Sequence, residues 1–281
     1  MLTTAAFEGV SSRDMAKAEE IPAASRIFQH RHPQKRTFVV VKQLRLNDPD
    51  TFRKAALKRE IDFYNKTKDD KRTARLVPRY EGEDDDIQSL HLCLRFMKGG
   101  SIKRLSRQSS IPQDLIISYA RDVASALKHL HQNRIIWNGC CADHVLLNTR
   151  GQPKLVSFGL SQSGTGELAK EVRHAKLDHR IRWMAPETLR YLEYSRKTDI
   201  WAFGCFVVEM LTGEDPHYDC ENVEQVKEKV AHTPDPRPVV SYSGDTISKA
   251  IPQLLDQAFM CDPAKRATAA AIMDSLPPFN H

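Results

Sequence analysis

Trp137-Asn138-Gly139-Cys140-Cys141-Ala142-Asp143-His144-Val145-Leu146-Leu147 and, one turn later, Lys154-Leu155-Val156-Ser157-Phe158-Gly159 decide how the rest of the chain is read. Two short, mostly apolar runs, Val145-Leu146-Leu147 and Lys154-Leu155-Val156, flank the turn-forming Arg150-Gly151-Gln152-Pro153. That pattern predicts a β-hairpin with a polar loop leading into it and Ser157 leading out. Upstream, after Pro112 and Asp114, Leu115, Tyr119, Val123, Ala126, Leu127 and Leu130 recur at helical intervals and predict a long amphipathic helix. Before that helix, Gly99-Gly100-Ser101 breaks the pattern.

The chain ahead of the break reads mostly as sheet. Phe38-Val39-Val40-Val41 follows the turn-prone His30-Arg31-His32-Pro33, as a buried strand closing a hairpin would. Tyr80 and the segment Ser89 to Phe96 predict two more strands around the acidic loop Glu83-Asp84-Asp85-Asp86. Between them, Asp48 or Asp50 caps a helix whose apolar positions are Phe52, Ala55, Ala56, Ile61, Phe63 and Tyr64. Residues 1–20 lack periodicity and read as a mobile lead-in, with order beginning near Ile21. From Trp201 onward the chain is chiefly helical, with Pro-rich connections at Asp215-Pro216 and Thr233-Pro234-Asp235-Pro236.

With 281 residues, 41% of them hydrophobic, the chain can bury a substantial core. Its formal charge of +6 is spread along the sequence and interrupted by acidic residues. Without a reading motif, that charge is a solvated surface, and nucleic acid is not an expected partner. The six cysteines form no evenly spaced framework, and several lie in apolar runs, which favours a reducing intracellular compartment. The start lacks a basic segment and apolar stretch, and the most apolar window, Trp201 to Leu211, is short and contains Glu209. A soluble, cytoplasmic protein without membrane insertion is expected.

Trp183-Met184-Ala185-Pro186-Glu187 and Thr198-Asp199-Ile200-Trp201-Ala202-Phe203-Gly204 resemble the activation-segment anchor and central helix of protein kinases, in particular the tyrosine-kinase and tyrosine-kinase-like group. The resemblance covers about Ile21 to Leu276. It implies an α+β, two-lobed kinase-like fold: a small, mainly antiparallel-sheet N-lobe with one helix (21–97) and a larger, mainly helical C-lobe (98–281). Glu187 and Arg266 match the ion pair that ties the activation segment to the last helices. Asp199 matches the carboxylate that accepts backbone N–H groups from the catalytic loop. Phe158, Tyr64 and Trp137 match the stack of side chains linking the lobes, with Trp137 in place of a histidine.

The resemblance also assigns the nucleotide pocket: Lys42 as the strand lysine, Glu60 as its helix partner, Val40 and Leu146 as roof and floor, and Leu94 and Met97 at the gatekeeper and hinge positions. Ile21 to Phe28, where kinases keep a glycine-rich loop over the phosphates, contains no glycine. Val40, larger than the usual alanine, narrows the adenine slot.

The chemistry itself is missing. The aspartate that orients the substrate hydroxyl, the asparagine that holds one magnesium and the aspartate before Phe-Gly fall at Gly139, His144 and Ser157. Cys141 stands at the loop lysine. Glycine provides no base, serine is a weak magnesium ligand, and imidazole nitrogen suits a hard cation poorly. The resemblance thus implies a degenerate pseudokinase with no catalytic and no metal-binding residues. No cofactor is expected beyond, at most, weak ATP without magnesium. The expected role is a scaffold or allosteric regulator in intracellular signalling, with a protein partner that is an active kinase or its substrate.

The alternative is an atypical, slow ATP-dependent protein kinase using displaced residues. Asp143 is the one carboxylate left in the loop, although its family position points away from the reaction centre. Cys140, Cys141, Asp143 and His144 carry metal-ligand chemistry, but adjacent cysteines rarely aim both sulfurs at one ion, and no second ligand pair follows at zinc-finger spacing. Between Ser157 and Glu187 lie Ser161, Ser163 and Thr165 but no tyrosine, and Asn138 replaces the arginine that would clamp a segment phosphate.

Overall fold

The computed structural model describes residues 19–21, 26–31, 38–45, 50–67, 89–163, 178–240 and 248–277. The chain divides into two compact units, 1–98 and 99–281. Tyr80, the acidic loop, residues 22–25 and the sequence before Glu19 lie outside the described residues.

In the first unit β1 (Glu19–Ile21), β2 (Arg26–Arg31), β3 (Phe38–Arg45) and β4 (Ser89–Arg95) form an antiparallel sheet in sequence order. Its first strand starts two residues before the expected onset of order. The β2–β3 hairpin pairs Arg26 with Gln43 and Arg31 with Phe38, and β3 pairs Val40 with Leu94 across to β4. Alternation along β3 buries Val39 and Val41, while Val40 and Lys42 share the opposite face.

Helix α1 (Thr51–Lys66) starts at Asp50, whose carboxylate accepts the Arg53 N–H at 3.0 Å. Of the predicted apolar positions Ile61, Phe63 and Tyr64 are buried, and Phe52, Ala55 and Ala56 are half-buried. Leu57 and Glu60 complete the inner face.

The second unit is helical around a small sheet. Helix α2 (Ile102–Gln108) follows β5 (Gly100–Ser101), and the predicted amphipathic helix is α3 (Gln113–Gln132). Tyr119, Val123, Ala126, Leu127 and Leu130 are buried on α3, while Leu115 is only half-buried and Ile116 takes its place on the inner face. After β6 (Ile135–Ile136), the hairpin forms from β7 (Val145–Leu147) and β8 (Pro153–Leu155), with Val145 opposite Leu155. The second strand thus begins at Pro153 rather than Lys154. Strand β9 (Gln162–Ser163) pairs with β6.

The apolar window around Trp201 forms α5 (Arg196–Thr212), preceded by the short α4 (Pro186–Tyr191). A capping box between Ser195 and Thr198 fixes the start of α5, and every residue from Thr198 to Met210 is buried. A helix apolar all round has no solvent face, so α5 is the axis of the unit. Helices α2, α3 and α7 (Ala250–Ala258) pack against it, and α6 (Val223–His232) and α8 (Ala269–Ser275) complete the unit. No helix among the described residues is long and apolar enough to cross a membrane.

Candidate functional site

In the first unit the Lys42 ammonium lies 3.0 and 3.1 Å from the two Glu60 oxygens. Glu60 is 4% exposed, so a flexible ammonium is fixed by a carboxylate that has itself been taken out of water. Val40 shares the face of Lys42, Leu94 pairs with it across the strands, and Leu94 and Met97 are both buried. Leu146 belongs to the second unit, half-buried on β7.

The loop from Trp137 to His144 is organised by Asp199, fully buried near the start of α5. Its carboxylate accepts the backbone N–H groups of Trp137 (2.9 Å) and Asn138 (2.8 Å) and bonds His131 Nε2 at 2.8 Å. Asn138 takes a left-handed backbone (φ 53°), which asparagine tolerates, and donates its side-chain amide to the Leu160 carbonyl.

Trp137 is completely buried. Its indole N–H donates to the Val156 carbonyl at 3.2 Å, and its ring centroid lies 5.7 Å from that of Phe158. The same indole lies over the next position but one. A Cβ built on Gly139 would sit 2.3 Å from Trp137 Nε1 and 2.6 Å from Cε2, well inside van der Waals contact. Any side chain at 139 therefore competes with the tryptophan for one volume. Tyr64, in the first unit, packs edge-on against Phe63.

His144 Nδ1 is 2.7 Å from the Gly139 carbonyl, so the imidazole braces the loop. Ser157 sits at φ 66°, an uncommon backbone for a residue with a side chain. Its hydroxyl carries no charge. Magnesium does not fit this set: the two positions that would ligate it carry one neutral hydroxyl and one imidazole engaged with a carbonyl. Among the described residues no group of three His, Cys, Asp or Glu side chains could hold a metal ion. Cys140 and Cys141 are buried, and burial pushes both thiols up, which removes the thiolate that metal binding or nucleophilic attack requires.

Asp143 is half-exposed and engaged. Lys103 Nζ lies 3.1 Å from its carboxylate and 2.8 Å from Asp215. Burial pulls Lys103 down, but Asp215 and Asp143 more than offset it and hold the ammonium above its usual value.

Three groups that sequence reasoning did not single out shape the site. Glu209, 1% exposed on α5, accepts the Ala142 N–H (2.8 Å) and the Trp183 indole N–H (2.9 Å) through Oε2, while Oε1 has no partner among the described residues. Burial pushes its carboxyl well above the usual range. Arg182 donates to the carbonyls of Pro216, His217 and Cys220 and fixes the residues before α6. Arg180 reaches back and donates to the Asn138 carbonyl at 2.5 Å. Its only signal in the sequence was its place shortly before Trp183.

The scaffold pair is complete. Arg266, 1% exposed, forms a fork with Glu187 at 2.6 and 3.0 Å, donates further to the Lys197 and Met260 carbonyls, and stacks over Trp201. With the loop held by Asp199, the segment anchor by Arg266 and the lysine by Glu60, the geometry agrees with comparison to known proteins: the sequence profile of the protein kinase domain matches residues 23–276. The chain belongs to the protein kinase domain family. This kinase domain is 33% identical over 230 residues to a mitogen-activated protein kinase kinase kinase, MST11, of Pyricularia oryzae, covering 80% of the chain and 24% of that protein. It is 28% identical over 184 residues to serine/threonine-protein kinase PAK mbt of Drosophila melanogaster (66% of the chain, 28% of that protein). To mitogen-activated protein kinase kinase kinase 9 of Arabidopsis thaliana it is 29% identical over 201 residues (70% and 25%). The kinase domain thus spans about a quarter of the length of these relatives, whose names are those of one serine/threonine-protein kinase and two mitogen-activated protein kinase kinase kinases.

Proposed function

We propose that this kinase domain performs no phosphoryl transfer and works as a scaffold or allosteric regulator in cytoplasmic signalling, engaging a protein partner that is an active kinase or its substrate. The observation that carries the reading is the Trp137 indole standing 2.3 Å from where a side chain at 139 would begin. The loop is packed around the absence of a base. A general base contributes about 10²- to 10⁴-fold and metal charge stabilisation several kcal/mol, so a site without either falls far below the ordinary kinase rate. Asp143, the one carboxylate left in the loop, is tied to Lys103.

The retained Lys42–Glu60 pair supports, at most, weak ATP binding without magnesium, with Val40, Leu94 and Met97 as the first unit's contribution. The segment Trp183 to Glu187 supports a tyrosine-kinase-like ancestor, and the names of the relatives favour serine or threonine as its acceptor. Labelled-phosphate transfer, measured with magnesium and manganese against Lys42→Ala and Asp143→Asn, tests the reading. No transfer above the variants is expected. Stoichiometric autophosphorylation that both variants abolish would overturn it in favour of a slow enzyme using displaced residues.

A further inference from the structure

The base has gone from the loop, and a positive charge has arrived beside it. Arg180 lines a partly open recess of about 30 Å³ together with Asn138, Leu160, Trp183, Tyr194 and Thr198. A space of that size admits roughly two water-sized groups, the dimensions of a pair of anionic oxygens. A guanidinium has five N–H donors, and Arg180 gives one of its bonds to the Asn138 carbonyl while pairing with no carboxylate among the described residues. The hydroxyl of Tyr194 is buried there with no hydrogen-bond partner among the described residues. Burial pushes that phenol up and the Arg180 charge draws it back, so the two groups share one environment. The one acid on the lining, Asp199, is engaged by three nitrogens from Trp137, Asn138 and His131. The recess therefore offers an underused cation and an unsatisfied hydroxyl, a combination that suits an anion.

We propose that this recess receives a single anionic side chain, a carboxylate or a phosphoryl ester, presented by the polypeptide of a partner. The inference deepens the non-catalytic reading and rests on it. Gly139 supplies no carboxylate to the loop, and Arg180 donates to the carbonyl of Asn138 just before it, so the charge the recess has to spare beside the loop is positive. An acidic or already phosphorylated residue, rather than a free hydroxyl, matches it. Guanidinium and phenol would together donate to its oxygens, and no bond would be made or broken.

The test uses the full chain and two kinds of probe. Inorganic phosphate and acetate are titrated while the three indole N–H signals are followed by NMR. Trp183, on the recess, should shift, Trp201, in the core of the unit, should not, and the response should disappear in Arg180→Ala. Peptide arrays with degenerate flanks and a central serine, glutamate or phosphoserine are then probed with wild type, Arg180→Ala, Arg180→Lys and Tyr194→Phe. Anionic centres should be retained about tenfold or more above serine, with the preference lost in Arg180→Ala, partly kept in Arg180→Lys and weakened in Tyr194→Phe. Phosphoserine retained above glutamate identifies a phosphorylated partner, and the reverse an acidic one; either supports the proposal. Equal retention of all three centres, or a preference unchanged in Arg180→Ala, overturns it. Transfer of labelled phosphate into the serine peptides would instead defeat the non-catalytic reading, so the two failures are told apart.

Discussion

Trp137 and Gly139 behave as one unit because a single volume is shared between them. Gly139→Asp alone should destabilise the domain by about 1–3 kcal/mol, the usual cost of overpacking, and should restore no transfer. Trp137→His with Gly139→Asp should recover most of that loss, a non-additivity that thermal melts of the two single variants and the pair will reveal. Glu209 makes a separate claim at this scale. Its folded-state carboxyl titrates above the ordinary value of 4.5, so above that pH the unfolded chain loses the proton while the folded chain keeps it. This contribution to stability is therefore full below about pH 4.5 and is lost as pH rises toward the folded value. Glu209→Gln should remove that slope, and urea midpoints taken from pH 4 to 8 should converge with wild type at the acid end and exceed it at the neutral end.

Element by element, α5 carries the second unit. Gly204 lies where a Cβ would come within 2.8 Å of the Phe259 ring, at the contact between α5 and the end of α7. Gly204→Ala should cost about 1–3 kcal/mol despite its better helix propensity, because the aromatic ring cannot retreat from a packed core. Removing one partner of the Glu187–Arg266 fork should cost more, about 3–5 kcal/mol, since the other charge stays buried; Glu187→Gln with calorimetry checks this. These elements were legible in the sequence, because periodicity and order gave β3, α1, α3, the β7–β8 hairpin and the buried α5. What escaped was long-range and angular. Ile116 instead of Leu115 faces the core, and nothing local in the sequence shows this, that Arg180 turns back to Asn138 or that Glu209 meets Ala142 and Trp183. The missing carboxylates at 139 and 157 were plain from residue identity. The indole filling the gap was not, because that needs a ring orientation.

For the molecule as a whole, the kept and the lost residues fall into different classes. Glu60, Asp199 and the Glu187–Arg266 fork are buried charges, held by a half-buried lysine, by backbone N–H groups and by each other, and losing the partner strands the buried member. The residues at 139, 144 and 157 owed their chemistry to a ligand, so the fold survives their replacement. Any ATP-induced rise in Tm should accordingly be small, equal with and without magnesium, and abolished by Lys42→Ala, which differential scanning fluorimetry will show.

The tryptophan over Gly139 also restricts which neighbours this loop can hold. With the indole in this packing even the first carbon of a side chain at 139 has nowhere to go. Positions 137 and 139 are therefore tied as a couple, and a homologue pairing aspartate at 139 with tryptophan at 137 in the same packing should not be found.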